Sequence, residues 1–270
     1  MIWFGSNVSG GLQADDAELI GAANRGYTVG QGAFETVIVR QGQPFVLDRH
    51  LERLGQSASI LRLPQPNIAL IRTAIELTIE ANLLAIGDLG RLRVTYAAGE
   101  SSNAPTILVT CTQQPPWPVT TSAITVQWVR NERSAITGAK STSYAENVIA
   151  LDFAHERSAS EAIFANGAGN LCEGATSNVF VVIDGEVLTP PLSSGCLPGV
   201  TRGLVIEWFG AQERDIEFTS LDQVSELFLT STTRGVHPVT KLDERVLAVG
   251  DITRRLQSEF LQRISSRPNP

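Results

Sequence analysis

Lys140 opens the stretch Lys140-Ser-Thr-Ser-Tyr144-Ala-Glu-Asn147, which leads further along the chain into Glu173-Gly-Ala-Thr-Ser-Asn178. A lysine amine condenses with an aldehyde to give an imine, a carboxylate can keep a ring nitrogen protonated, and short hydroxyl and amide side chains can hold the polar groups between them. Taken alone, a lysine is a surface residue by about ten to one. Its company is what makes Lys140 a candidate for carbonyl chemistry.

Other catalytic patterns are missing. Thr137-Gly138-Ala139-Lys140-Ser141-Thr142 lacks the glycine directly before the lysine that a nucleotide phosphate loop requires. Gly30-Gln-Gly32-Ala-Phe-Glu35 lacks the third glycine of a dinucleotide fingerprint, and no GxSxG elbow is present. His50, His155 and His237 are too scattered for a zinc site, so no metal is expected. Cys111, Cys172 and Cys196 form no CxxC pair and read as buried thiols in a reducing compartment.

The elements that must position these residues are legible in outline. Ala33–Arg40 is β-branched and bounded by Gly32 and Gln41-Gly42, which predicts a strand, with Pro44–Leu47 as a hairpin partner. Leu51, Leu54, Ala58 and Leu61 recur at helical spacing from Asp48 onwards. Arg91–Tyr96 and Thr106–Thr112 read as strands, as does Ile124–Val129. Between them the prolines of Gln113-Gln-Pro-Pro-Trp-Pro118 suppress both helix and ladder. The expected organisation is a domain over 1–112, a linker over 113–119 and a larger domain over 120–270. In the second part, Tyr144, Val148, Leu151 and Ala154 or His155 predict one face of a helix, and Asp184-Gly185 predicts a hairpin turn. Pro198-Gly199-Val200-Thr201 opens a further helix towards Phe209 and Gly210, and its N-terminus is suited to a phosphate.

The chain has 270 residues, 43% hydrophobic and 18% charged, with a formal charge of −7. That balance describes an ordinary globular protein and disfavours a nucleic-acid partner. The sequence shows neither a leader pattern nor a membrane-spanning apolar run, so a cytoplasmic protein without a membrane partner is expected.

At these residues the sequence resembles the fold-type IV pyridoxal-phosphate enzymes, which include branched-chain and D-amino-acid aminotransferases and 4-amino-4-deoxychorismate lyase. The resemblance runs through Arg25-Gly-Tyr27-Thr-Val-Gly30-Gln-Gly32-Ala-Phe34-Glu35-Thr36 and His50-Leu-Glu-Arg53-Leu in the first part. In the second part it runs through Lys140, Glu173–Asn178, Thr189-Pro-Pro, Leu197-Pro-Gly-Val-Thr201-Arg202 and Thr230–Thr233. It implies an α+β fold of two domains, a small N-terminal α/β domain and a larger one built on a β-barrel-like sheet with flanking helices. It further implies pyridoxal 5'-phosphate as cofactor and a homodimer. Lys140 becomes the Schiff-base lysine and Glu173 the partner of the pyridine nitrogen. Arg53, Val200, Thr201, Ser231 and Thr232 become phosphate residues, and Tyr144 a partner of the ring's phenolic oxygen. On its own pattern Arg53 reads as a solvated helix arginine.

Phe34, Arg93, Tyr96 and Arg234 are the candidates for substrate binding. A guanidinium pairs bidentately with a carboxylate, and Arg93 is preferred over Arg91 because only Arg93 matches a family position near the substrate. Thr233-Arg-Gly-Val-His-Pro-Val239 is similar to bacterial lyase sequences, and after Gly99 the chain passes through Glu100–Pro105 without the Arg-x-His carboxylate trap typical of D-amino-acid aminotransferases. The expected activity is therefore 4-amino-4-deoxychorismate lyase, releasing pyruvate and 4-aminobenzoate for folate synthesis. A D-amino-acid or branched-chain aminotransferase is the alternative, and a non-catalytic homologue that binds the cofactor is the second.

Overall fold

A computed structural model describes residues 1–266. Met1–Pro116 with Ala139–Ser143 make one unit, and Trp117–Gly138 with Tyr144–Ser266 make another. The chain is thus a mixed α/β protein with two sheets.

The first unit contains strands β1 (Ile2–Ser6), β2 (Gly10–Gln13), β3 (Gly32–Arg40), β4 (Gln43–Pro44), β5 (Leu89–Ala98) and β6 (Pro105–Gln113), in the sheet order β2-β1-β6-β5-β3-β4. Its helices are α1 (Arg25–Thr28), α2 (Leu47–Ile60) and α3 (Ile68–Ile86). Alternation along β3 puts Ala33, Glu35, Val37 and Val39 on one face, with Val94 opposite Glu35 and Leu92 opposite Val37 on β5. Apart from Glu35, this face is apolar and joins Leu51, Leu54 and Ala58 of α2 and Ile71, Ile75 and Ile79 of α3 in one core. Burying Leu51 and Leu54 contributes about 2 kcal/mol each. Asn67 caps α3 by accepting the Leu70 N–H at 3.1 Å.

The hairpin partner expected over Pro44–Leu47 is shorter than its composition suggests. Gln43 and Pro44 pair with β3 and the Phe45 N–H still donates to the Ile38 carbonyl at 2.9 Å, before the chain turns at Val46 (φ 49°) into α2 at Leu47. Asp48 in the first turn of α2 complements the helix dipole, and Leu47 and Leu51 find the core by starting the helix there.

The second unit contains β7 (Thr121–Arg130), β8 (Glu161–Asn166), β9 (Leu171–Gly174), β10 (Asn178–Ile183), β11 (Glu186–Thr189), β12 (Gln212–Glu213), β13 (Glu226–Ser231), β14 (Gly235–Leu242) and β15 (Arg245–Val246). Its sheet runs β12-β11-β10-β13-β14-β7-β8-β9, with β15 beside β14. The helices are α4 (Ala145–His155), α5 (Val200–Phe209) and α6 (Asp251–Ser266). Parallel β7 and β8 are joined across α4, as a parallel pair requires. Asp184 (φ 51°) and Gly185 (φ 79°) both take positive φ, the backbone twist that closes the tight β10–β11 hairpin. α5 stops at Gly210 in the left-handed conformation.

The face of α4 differs from the expected one. The expected Ala154 is buried and Leu151 packs against the core, but Val148 is exposed and Asn147 and Ala150 are buried instead. Two alanines allow the helix close to the sheet, and the Asn147 amide donates to the Ala175 carbonyl at 2.6 Å. A polar side chain with a buried carbonyl to satisfy outweighs the aliphatic Val148.

All three cysteines are free and buried. Burial pushes the Cys111 and Cys196 thiols up to about 11, and Cys172 is raised further by burial and by the neighbouring Glu173 charge. A disulfide reagent added to the native protein at pH 8 is expected to titrate no thiol within minutes, and to titrate three after denaturation. Rapid release from the native protein would contradict the packing of these sites.

Candidate active site

Lys140 is placed by its main chain. The Phe34 N–H donates to the Lys140 carbonyl at 2.9 Å and the Thr142 N–H to the Gly32 carbonyl at 2.8 Å, so residues 140–142 add as a short strip to the start of β3. The Lys140 N–H donates to Ser57 Oγ on α2 at 3.1 Å. This approach explains the two glycines ahead of Phe34. A Cβ on Gly32 would stand 2.7 Å from the Ala97 Cβ of β5 and 2.9 Å from Thr142 Oγ1, and Gly30 has φ 65° with Ser143 Oγ 2.5 Å from a Cβ there. Gly30-Gln-Gly32 therefore admits a second backbone, not a dinucleotide. The Lys140 amine lies 4.4 Å from the Phe34 ring centroid, and the Arg93 guanidinium lies 3.8 Å from the same centroid. Arg93 Nε donates to Thr95 Oγ1 at 3.2 Å. Three of the expected residues, Phe34, Arg93 and Lys140, thus share one small cluster.

Arg53 is also in this unit, and it is buried, not solvated. Its Nε donates to Glu35 Oε1 at 2.8 Å and one Nη to Glu35 Oε2 at 2.6 Å, a two-point ion pair. His50, one helical turn before Arg53, places Nδ1 2.7 Å from the same Oε2. Burial alone would raise the Glu35 carboxyl, but the Arg53 charge and the hydrogen bonds from Arg53 and His50 outweigh it and hold the group down to about 2. Burial lowers His50 against the opposing pull of Glu35, so the neutral imidazole donates from Nδ1 to an ionised Glu35.

In the second unit Glu173 lies in β9 opposite Phe164. Its Oε2 accepts the Leu197 N–H at 2.9 Å, and Arg130 Nε lies 3.3 Å from Oε1, in charge contact without the alignment of a hydrogen bond. Arg130 stacks over Phe164 at 4.2 Å and donates to Glu146 at 2.6 Å. The carboxylate is therefore held at both oxygens. Gly199 precedes α5 and no side chain caps that helix. A Cβ on Gly199 would stand 1.9 Å from Asn178 Oδ1, so only glycine lets the start of α5, with Val200 and Thr201, sit against β10. Gly199→Ala is expected to lower the melting temperature by about 5 °C or more, since backbone and a buried amide must both shift. An unchanged melting curve would rule out this close approach. Ser231 and Thr232 stand at the end of β13, where Ser231 Oγ accepts the Arg234 N–H at 3.3 Å.

Three expected site residues have structural engagements. Tyr96 is fully buried in the core of the first unit and donates its hydroxyl to the Pro64 carbonyl at 2.9 Å, which removes it from any substrate surface; burial pushes its phenol up to about 12. Alternation decides this, because Tyr96 pairs with Ala33 on the inward face whereas Arg93 and Thr95 project from the other. Arg234 is enclosed by the second unit's own groups: it donates to the Ser160 carbonyl at 2.9 Å, stacks on Trp117 at 4.0 Å and lies 3.8 Å from Glu161. A substrate carboxylate would have to displace these partners. Tyr144 donates to the Ala175 carbonyl at 2.9 Å, the same atom that Asn147 reaches.

The sequence reading missed Glu35, Arg130 and Glu161. Glu161 is fully buried and accepts from the Thr176 and Ser177 hydroxyls at 2.7 and 2.8 Å, fixing the turn that follows Glu173. A signal existed for Glu35: alternation along β3 calls for an apolar residue there, and a carboxylate in its place demands a partner.

The family model described as Amino-transferase class IV matches residues 32–242. The chain belongs to the class IV amino-transferases. A bifunctional aminodeoxychorismate lyase / D-amino acid transaminase from Mycobacterium tuberculosis is 32% identical over 236 residues, covering 80% of this chain and 78% of that protein. Among solved structures, the fold IV-transaminase CpuTA1 from Curtobacterium pusillum superposes with a TM-score of 0.89 at 28% identity, covering 98% of this chain and 99% of that one. A hypothetical aminotransferase from M. tuberculosis in its PLP-bound form gives a TM-score of 0.86 at 27% identity, covering 98% and 100%. The fold is therefore that of the fold-type IV transaminases, and the chain is an enzyme of this class.

Proposed function

We propose that this class IV amino-transferase uses pyridoxal 5'-phosphate and acts as a 4-amino-4-deoxychorismate lyase. The single observation that carries the chemical part is Lys140, whose backbone is pinned to β3 and α2 and whose amine stands over Phe34 beside Arg93.

Within each unit, taken by itself, the residues present suit parts of the cofactor. In the first unit there is an amine at Lys140 for its aldehyde and a braced guanidinium at Arg53 for its phosphate. In the second there is a doubly held carboxylate at Glu173 for its ring nitrogen, and a helix start without a side-chain cap, where Val200 and Thr201 offer N–H groups to the phosphate along with the hydroxyls of Ser231 and Thr232. When bound, pyridoxal phosphate supplies a protonated ring that accepts the electron pair left as a substrate bond breaks. Lys140 would hold the ring through its amine and, as the free amine, would take the proton from the substrate carbon. Glu173, held by the Leu197 N–H and Arg130, would face the ring nitrogen and favour a proton there. Arg93, fixed by Phe34 and Thr95, receives a substrate carboxylate.

Support for the lyase comes from the 233–239 segment and from the first-named activity of the M. tuberculosis relative. That relative's second named activity supports D-amino-acid transamination as the runner-up. A homodimer and a cytoplasmic location belong to the same proposal. Purified protein is expected to show an absorbance band that borohydride fixes to Lys140; a colourless protein that cannot be reconstituted would refute the cofactor reading. Aminodeoxychorismate supplied alone is expected to give pyruvate and 4-aminobenzoate without any keto acid. Amino transfer from a D-amino acid with no pyruvate released would instead establish the runner-up.

A further inference from the structure

We infer that Glu35 and His50 are positioning residues for Arg53, and that together they set how strongly the enzyme prefers a phosphorylated cofactor to the same ring without its phosphate. The inference rests on the reading of Arg53 as a phosphate residue.

Arg53 is held at two nitrogens by one carboxylate, which fixes both the position and the plane of its guanidinium. The carboxylate is itself restrained. Glu35 projects from the inward face of β3, where no water can compete, and its Oε2 takes a second donor from His50. A pair serving only to neutralise charge is complete without His50. The third member adds orientation, because it prevents the carboxylate from rotating about its own axis. An arginine whose rotamers are already frozen loses little freedom when it meets a phosphate, so the brace raises affinity without touching the ligand. The same helix also carries Ser57, which accepts the Lys140 N–H, so α2 supports the phosphate residue and the lysine strip together.

The test is spectroscopic titration of the full chain, freed of cofactor, with pyridoxal phosphate and separately with pyridoxal. Glu35→Asp keeps the charge and withdraws it by one methylene; it is expected to weaken pyridoxal phosphate about tenfold and pyridoxal by less than about twofold. His50→Leu is expected to do the same, and His50→Asn, whose Nδ2 stands near the place of the imidazole Nδ1, to restore the wild-type preference. In an Arg53→Lys background Glu35→Asp should add less than about twofold, because the group it orients has gone. Equal weakening of both ligands, or a preference unchanged in Glu35→Asp and His50→Leu, would overturn the positioning role. The His50 variants leave the Glu35–Arg53 charges intact and decide the matter if Glu35→Asp does not fold. Wild-type protein that binds both ligands equally would overturn the phosphate reading of Arg53 and this inference with it, whereas a wild-type preference that survives the substitutions removes the inference alone.

Discussion

Lys140→Met is expected to lower turnover by about 10³-fold or more while leaving the melting temperature within about 3 °C of the wild type. The two halves of this outcome have separate causes. Stability hardly depends on the side chain, because the bonds that anchor the strip at 140–142 are made by the main chain, to Phe34, Gly32 and Ser57. Among the side chain's contacts is that with the Phe34 ring, worth about 0.5–1 kcal/mol, which a methionine thioether partly replaces. On the proposed role of Lys140, activity depends on the side chain, since methionine neither attaches an aldehyde nor carries a proton. Initial rates of pyruvate release, with circular dichroism as the control for folding, check both halves. Partial recovery with added methylamine would assign the loss to the missing amine. A variant retaining a tenth of wild-type turnover would show that another group takes the proton.

The strip at 140–142 also shows where the sequence was legible and where it was not. Local chemistry announced itself: the β-branched run of β3, the Asp184-Gly185 turn and the α5 helix ending at Gly210 all follow from residues within a few positions of one another. Lys140 and Glu173 were visible as reactive types, and Arg53 as a basic residue on a helix. Their surroundings were not, because a partner is chosen by register. Arg53 meets Glu35 only because β3 turns that carboxylate inward towards α2, and Tyr96 is lost to the substrate only because its position in β5 falls opposite Ala33. Arg130 reaches Glu173 because β7 and β8 run in parallel and bring the end of one beside the hairpin of the other. The outward Val148 of α4 has the same origin: spacing named an apolar stripe, and a distant carbonyl at Ala175 decided which side faced in. Period and composition identify elements; the pairing of buried charges needs the topology.

Glu35→Gln is expected to destabilise the protein by about 3–5 kcal/mol at pH 7. Glutamine preserves the shape of the side chain and one acceptor, but it leaves the Arg53 guanidinium buried without its counter-charge and sets an amide against two donors, Arg53 and His50. The dependence on pH follows from the direction of the shifts. The folded Glu35 carboxyl is held at about 2, below its ordinary value of 4.5, so its contribution is fully present above pH 4.5 and is lost as the pH falls through 2. A depression of that size corresponds to stabilisation on the order of 3 kcal/mol. His50 acts in the same sense and earlier: burial lowers its folded value below 6.5, so acidification through 6.5 protonates the unfolded chain first and draws stability away. Urea unfolding measured from pH 8 to pH 2 should therefore show wild type losing stability in two stages. The gap between wild type and Glu35→Gln should be widest above pH 5, narrow progressively below pH 4.5 and be smallest near pH 2, where the wild-type carboxylate advantage is titrated away. A gap that stayed constant across this range would mean that Glu35 supports the fold by packing, and that the charge on Arg53 is compensated by some other group.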